Sequence, residues 1–147
     1  LKEQQACLKK KYNRFVPLFV KVSPDLESSE IEKMSALFLE LNMDGLIATN
    51  TTIDHSGLNI PDSGAQLGGL SGAPLFERSL KTVKFFSACL QKKIPIIAVG
   101  GISTEHQARL MFDSGADLVQ LYTGLIYEGP GVVKKLSHVQ PTVGLND

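Results

Sequence analysis

The chain has 147 residues, 43% hydrophobic and 20% charged, a balance that supports one packed globular domain and argues against a disordered or coiled-coil chain. Fifteen Lys and Arg cancel fifteen Asp and Glu, so no net field gathers nucleic acid or an anionic membrane surface, and any phosphate contact has to be local. Cys7 and Cys89 stand far apart and outside any C-x-x-C spacing, which argues against a disulfide framework or a structural zinc site, and no apolar run approaches the ~20 residues that span a bilayer.

In chain order, residues 3–12 read as a helix ahead of the first strand. Residues 18–23 (Leu-Phe-Val-Lys-Val-Ser) are a short, nearly continuous apolar run of the kind buried on both faces of a parallel sheet. Ser29 and Glu32 have capping-box spacing, and Ile31, Met34, Leu37, Phe38 and Leu41 recur at helical spacing, so a helix is expected over 30–41. Residues 46–50 make the second strand. Residues 54–69 are too many for an ordinary βα loop and read as a functional lid or a partly mobile segment. Pro74 fits the first turn of a helix running to about Gln91. Residues 96–100 form the third strand. Thr104 with Gln107 caps the next helix, which Gly115 closes in the left-handed C-terminal position. The fourth strand covers 118–122, and a last helix follows Gly131.

Strands alternating with helices imply βα units around a parallel sheet, an α/β fold. Four units are half of a closed (β/α)8 barrel, and 147 residues fall short of the ~250 typical of that fold, so the chain is expected to be a half-barrel fragment. A small doubly wound domain is the competing architecture. A half-barrel leaves two strand edges unpaired, which invites self-association through them. Residues 44–49 (Asp-Gly-Leu-Ile-Ala-Thr) weakly echo 117–122 (Asp-Leu-Val-Gln-Leu-Tyr), each placing an acid just before a buried strand.

In α/β folds ligands sit beyond the carboxyl ends of the strands. The third strand runs into Gly100-Gly101 and the fourth into Tyr122-Thr123-Gly124, where glycine admits phosphate oxygens close to the backbone and the Thr123 hydroxyl adds a donor. Either cluster alone is equally a tight turn; together, on consecutive strands, they favour phosphate. Lys21 lies inside an apolar run and shares its face with Phe19 and Ser23, while Leu18, Val20 and Val22 share the other. If the aliphatic set meets the helices, Lys21 points into the barrel; the alternative is a lysine that snorkels to the surface. Asn50, Thr51 and Thr52 can hydrogen-bond a small planar ligand with several carbonyls, or serve as a turn. His55, His106 and His138 show no metal-ligand spacing, and no serine or cysteine has a recognisable base partner.

Residues 19–26 (Phe-Val-Lys-Val-Ser-Pro-Asp-Leu), 44–52, 68–75 (Gly-Gly-Leu-Ser-Gly-Ala-Pro-Leu), 99–102 and 120–124 resemble, in order and spacing, the C-terminal motifs of the dihydroorotate dehydrogenases, and the Gly69-Leu70-Ser71-Gly72 form resembles the quinone-dependent class. The resemblance implies the C-terminal half of a TIM barrel that oxidises dihydroorotate to orotate in pyrimidine synthesis, passing a hydride to FMN and electrons to a quinone. By matching motif, Lys21 and Thr49 would contact FMN, Gly72, Gly101, Tyr122 and Thr123 would hold it, with Gly101 and Thr123 nearest its phosphate, and Asn50 and Thr51 would bind the orotate ring. It also implies that the catalytic base, a serine, and the helices that meet membrane and quinone lie outside these residues. The full-length protein is therefore expected at the bacterial or mitochondrial inner membrane, while this segment is expected to be soluble and inactive alone.

Overall fold

The computed structural model describes residues 1–56, 58 and 68–142. Its elements alternate as α1 (Lys2–Tyr12), β1 (Phe19–Val22), α2 (Ser28–Glu40), β2 (Gly45–Ala48), a 3-10 turn (Ala73–Leu75) leading into α3 (Phe76–Leu90), β3 (Ile96–Val99), α4 (Glu105–Asp113), β4 (Leu118–Gln120), α5 (Thr123–Glu128) and α6 (Gly131–Leu136). The four strands form one parallel sheet in the order β1-β2-β3-β4. Sequential, all-parallel order with helical crossovers is the arrangement of consecutive units in a (β/α)8 barrel and not of a doubly wound sheet, whose order reverses partway.

Strand alternation divides the sheet cleanly. Val22, Ala48, Ala98 and Val119 lie side by side in one row, and the first three are at most 3% exposed. Alanines in the middle of that row let α3 close down on β2 and β3, which it packs across. Phe86 and Val83 of α3, Leu46 of β2 and Met111 of α4 are fully buried here, and Phe38 of α2 stacks on Phe86 with ring centroids 6.4 Å apart. Removing this apolar surface from water is the main stabilising term. The next row, Lys21, Ile47, Ile97 and Leu118, faces the other side of the sheet. Leu18 and Val20 join the helix-side core, so the aliphatic face of β1 meets the helices and Lys21 does not.

The weak sequence echo has a structural counterpart. Asp44 Oδ2 accepts the Leu18 N–H at 2.8 Å, and Asp117 Oδ2 accepts the Ile96 N–H at 2.8 Å. Each acid that precedes a strand thus ties down the start of the strand beside it. Asp44 also receives Lys2 Nζ at 2.9 Å and Gln5 Nε2 at 2.5 Å, which pins α1, a helix with no buried residue of its own.

Two expectations need correction. α2 begins at Ser28, with Glu27 as its N-cap in place of Ser29, and the Glu30 carboxylate accepts the Glu27 N–H at 2.8 Å, the back-bond assigned to Glu32. Both acids have suitable spacing; packing decides between them, since this start turns Ile31, Ser35 and Phe38 toward the sheet. Leu37 and Leu41 are 47% and 46% exposed, flanking that stripe, because Ser35 takes an inward position that hydrophobic periodicity passes over. The Thr104 and Gln107 capping box is present, and Gly115 has a φ of 104°. α5 was not anticipated. The lid reading of residues 54–69 falls mostly on 57 and 59–67, outside the described residues.

Candidate functional site

The carboxyl ends of the four strands open onto a cleft of about 240 Å³. β1 contributes Lys21, the segment after β2 contributes Thr49, Asn50 and Thr51, the approach to α3 contributes Ser71 and Gly72, β3 leads into Gly100 and Gly101, and β4 leads into Tyr122, Thr123 and Gly124. All eight residues singled out from the sequence, Lys21, Thr49, Asn50, Thr51, Gly72, Gly101, Tyr122 and Thr123, therefore line one cavity.

Local geometry explains how they converge. β2 ends at a cis Ala48–Thr49 peptide. Thr49, 2% exposed, is fixed by its hydroxyl, which donates to Asn50 O at 2.9 Å and meets Ser79 Oγ at 2.9 Å. Its side chain is thereby committed to holding the strand end, while Asn50 and Thr51 remain exposed at the mouth. Gly101 has a φ of 70°, and a Cβ there would lie 2.7 Å from the Phe76 backbone nitrogen and 2.8 Å from Gly72 O. Only glycine lets the third strand end press against the start of α3, bringing the 72 and 101 backbones together. Thr123 Oγ1 donates to Ser71 Oγ at 3.1 Å, closing the ring between the β4 end and the α3 approach.

Charge is distributed to suit an anion. Among the described residues Lys21 is the one charged side chain lining the cleft, and no carboxylate lines it. Leu75, Val99 and Ile102 give the floor an apolar surface, and hydroxyls and glycine backbone gather at the β3 and β4 end. An apolar slot with an ammonium on one side and a glycine and hydroxyl cradle at the end has the groups that suit a flavin nucleotide: an apolar floor for a flat ring, a positive charge for an electron-rich edge, and N–H and O–H donors for a phosphate. Gln120, Ser71 and the floor residues Leu75, Val99 and Ile102 lie within the motifs quoted above, which assign them no role. Gln120 was accessible to strand alternation, which puts it beside Val99 on the Lys21 side; Ser71 was not, because its partner is 52 residues away.

Beside the cleft, burial raises the Asp25 carboxyl, but hydrogen bonds from the Thr52 hydroxyl, the Ile53 N–H and Arg78, together with the guanidinium charge, outweigh it and hold it below the ordinary carboxylate range. Asp54 is lowered as well, chiefly by its hydrogen bonds with Ser56. Among the described residues no group of His, Cys, Asp and Glu is placed to hold a metal ion.

Consecutive parallel strands whose carboxyl ends open onto one cleft define a unit of a (β/α)8-barrel enzyme. A dihydroorotate dehydrogenase family model matches residues 2–140. The chain is 47% identical over 140 residues to dihydroorotate dehydrogenase (quinone) of Idiomarina loihiensis, covering 95% of this chain and 42% of that protein. It is 47% identical over 135 residues to the Acinetobacter baumannii enzyme of the same name, covering 92% and 40%. Among solved structures, dihydroorotate dehydrogenase of Eimeria tenella in complex with ferulenol superposes with a TM-score of 0.79 at 35% identity, covering 94% of this chain and 39% of that one. The ligand-free form from Eimeria tenella gives 0.77 at 39% identity, covering 83% and 34%. The chain belongs to the dihydroorotate dehydrogenase family, a flavin-dependent family of TIM barrels. It spans about two fifths of the length of the curated relatives it matches, 42% in the first of them.

Proposed function

We propose that this chain supplies the cofactor-phosphate side and part of the substrate pocket of a quinone-dependent dihydroorotate dehydrogenase, which oxidises dihydroorotate to orotate in pyrimidine synthesis. The observation that carries the reading is the convergence of the strand-end residues on one cleft whose sole charged lining group, among the described residues, is Lys21. FMN is the flavin in this reading, and when bound it supplies hydride acceptance and electron delivery to a quinone. Lys21 places a fixed positive charge beside the ring and favours negative charge there. Thr49 sets the strand end against the ring. Asn50 and Thr51 donate to and accept from the carbonyl and N–H groups of the orotate ring. Gly72, Gly101, Tyr122 and Thr123 hold the cofactor, Gly101 and Thr123 at its phosphate.

No carboxylate, imidazole or thiol lines the cleft among the described residues. Among those residues Ser71 is the one serine that lines it, and its hydroxyl is bonded to Thr123; the base that takes a proton from the substrate is read, as the family resemblance implies, as a serine contributed from outside these residues. We read the 147 residues as the C-terminal half of a longer barrel, without dehydrogenase activity by themselves. Contact with membrane and quinone is assigned to other segments of that enzyme; among the described residues no helix is long and apolar enough to cross a membrane.

The full-length enzyme is expected to be yellow, to release FMN on denaturation, and to reduce a quinone analogue when dihydroorotate is added. The purified 147-residue chain is expected to catalyse no such reduction. A colourless full-length protein that FMN cannot reconstitute overturns the flavin reading; turnover by the short chain overturns the assignment of the base.

A further inference from the structure

The segment that leaves the cleft after β2 returns to it before α3, and its two ends are stitched together. Thr52 N–H donates to Leu70 O at 3.2 Å and Leu70 N–H donates to Thr52 O at 2.8 Å, an isolated antiparallel bridge. Asp25, from the turn after β1, lies beneath this bridge. Its carboxylate accepts Thr52 Oγ1 at 2.5 Å, the Ile53 N–H at 3.0 Å and Arg78 Nη1 at 2.7 Å. Arg78, in the first turn of α3, reaches Asp54 with its other terminal nitrogen, and the Asp54 N–H returns to Thr52 Oγ1 at 3.0 Å. One guanidinium thus joins three segments that are far apart in sequence.

Arg78 does not line the cleft, but both arms it fixes do. Asn50 and Thr51 immediately precede Thr52. Gly69 immediately precedes Leu70, and a Cβ at Gly69 would lie 1.9 Å from Thr51 Oγ1, so the two arms touch. Exposed ion pairs add little to global stability. A forked guanidinium that bridges two carboxylates, each also bonded to backbone N–H groups, constrains geometry instead.

We infer that Arg78 is a positioning residue for substrate: by forking between Asp25 and Asp54 it locks the Thr52–Leu70 bridge and so sets Asn50 and Thr51 where they grip the carbonyl edge of a flat heterocyclic anion. The inference rests on the proposed reading of Asn50 and Thr51 as substrate-binding. It separates affinity for the substrate from affinity for the cofactor, because Gly101 and Thr123 follow β3 and β4 and are not among the groups that Arg78 bonds.

The test compares Arg78→Gln, Thr52→Val and Thr52→Ser in the flavin-loaded full-length enzyme, reading KM for dihydroorotate, kcat, the orotate dissociation constant by calorimetry, and FMN content. Small displacements of a binding group have large kinetic effects; Arg78→Gln and Thr52→Val are expected to raise KM and the orotate dissociation constant about tenfold, with FMN content intact and kcat within about twofold. Thr52→Ser restores the hydroxyl and is expected to match the wild type. A purely structural role would lower thermal stability without moving KM. Should Arg78→Gln fail to fold, Thr52→Val decides: full FMN content with unchanged KM and orotate affinity overturns the inference. A wild-type enzyme that binds FMN but is not reduced by dihydroorotate overturns the proposed function and this inference with it, whereas an active wild type with unaltered Thr52→Val kinetics overturns the inference alone.

Discussion

The Thr49 hydroxyl meets the Ser79 hydroxyl at 2.9 Å in a fully buried setting, and this contact couples the end of β2 to the second turn of α3. Ser79 is 0% exposed and fills the space that Gly100 leaves, since a Cβ at Gly100 would lie 2.1 Å from Ser79 Oγ. Strand end, helix and glycine turn are therefore interdependent, and Thr49 cannot shift without α3. Ser79→Ala is expected to cost about 1 kcal/mol, the net worth of a buried hydrogen bond. In a double-mutant cycle with Thr49→Val by urea denaturation, a coupling of about 1 kcal/mol is expected; strictly additive effects would show that the two hydroxyls act separately.

Gly101→Ala places a Cβ 2.7 Å from backbone that cannot step aside, at a φ of 70°. A loss of about 1–3 kcal/mol of stability is expected from the strained backbone. Cofactor retention should fall as well, because the Gly72 and Gly101 backbones are pushed apart. Equilibrium dialysis of FMN checks this, and native FMN affinity in Gly101→Ala would count against the cradle.

Lys21→Met retains the packing of the stem and removes the charge. FMN content is expected to be preserved, since the phosphate end is untouched, while flavin reduction by dihydroorotate slows on the order of 100-fold, the scale seen when a preorganised charge partner is lost. Anaerobic stopped-flow bleaching measures it. An unchanged rate would remove Lys21 from the reaction.

Asp25 and Asp44 set an acid limit. Burial raises both carboxyls, but hydrogen bonds from Thr52 to Asp25 and from Gln5 and Lys2 to Asp44 prevail, so both titrate below the ordinary value of 3.8 when folded. The unfolded chain takes up protons first as pH falls, so the stabilisation is complete above about 3.8 and disappears as pH drops through the lower folded-state values. Melts between pH 6 and pH 2.5 should show a flat region and then a decline, and Asp44→Asn should have a shallower decline than the wild type. Equal slopes would mean that Asp44 does not contribute.

Much of this was legible in the chain because local and long-range signals agreed. Runs such as Ile96–Val99 and the Thr104 capping box announce their own elements, and the alternation of Leu18, Val20 and Val22 with Lys21 foretold which face Lys21 takes. The ordered strand-end motifs brought the eight site residues to one place. The start of α2 was misjudged because Ser29 with Glu32 and Glu27 with Glu30 satisfy similar local chemistry, and only packing of Ile31 and Phe38 selects between them. The Asp25–Arg78 bridge joins residues separated by 53 positions, and neither has a pattern that names the other. α5 begins at Thr123, within a motif read for its hydroxyl and glycine as a phosphate site, and is too short at six residues to display a period.

Asp44 and Asp117 stand at the opposite end of the sheet from the cleft, yet they act as register keys for it. A strand that slips by one residue turns every side chain to the other face. For β1 such a slip would leave the Asp44 carboxylate without the Leu18 N–H and drive Lys21 beneath the helices. Two aspartates that never approach the ligand thus determine which side chains the ligand meets, and the foundation of each strand carries the specification for its tip.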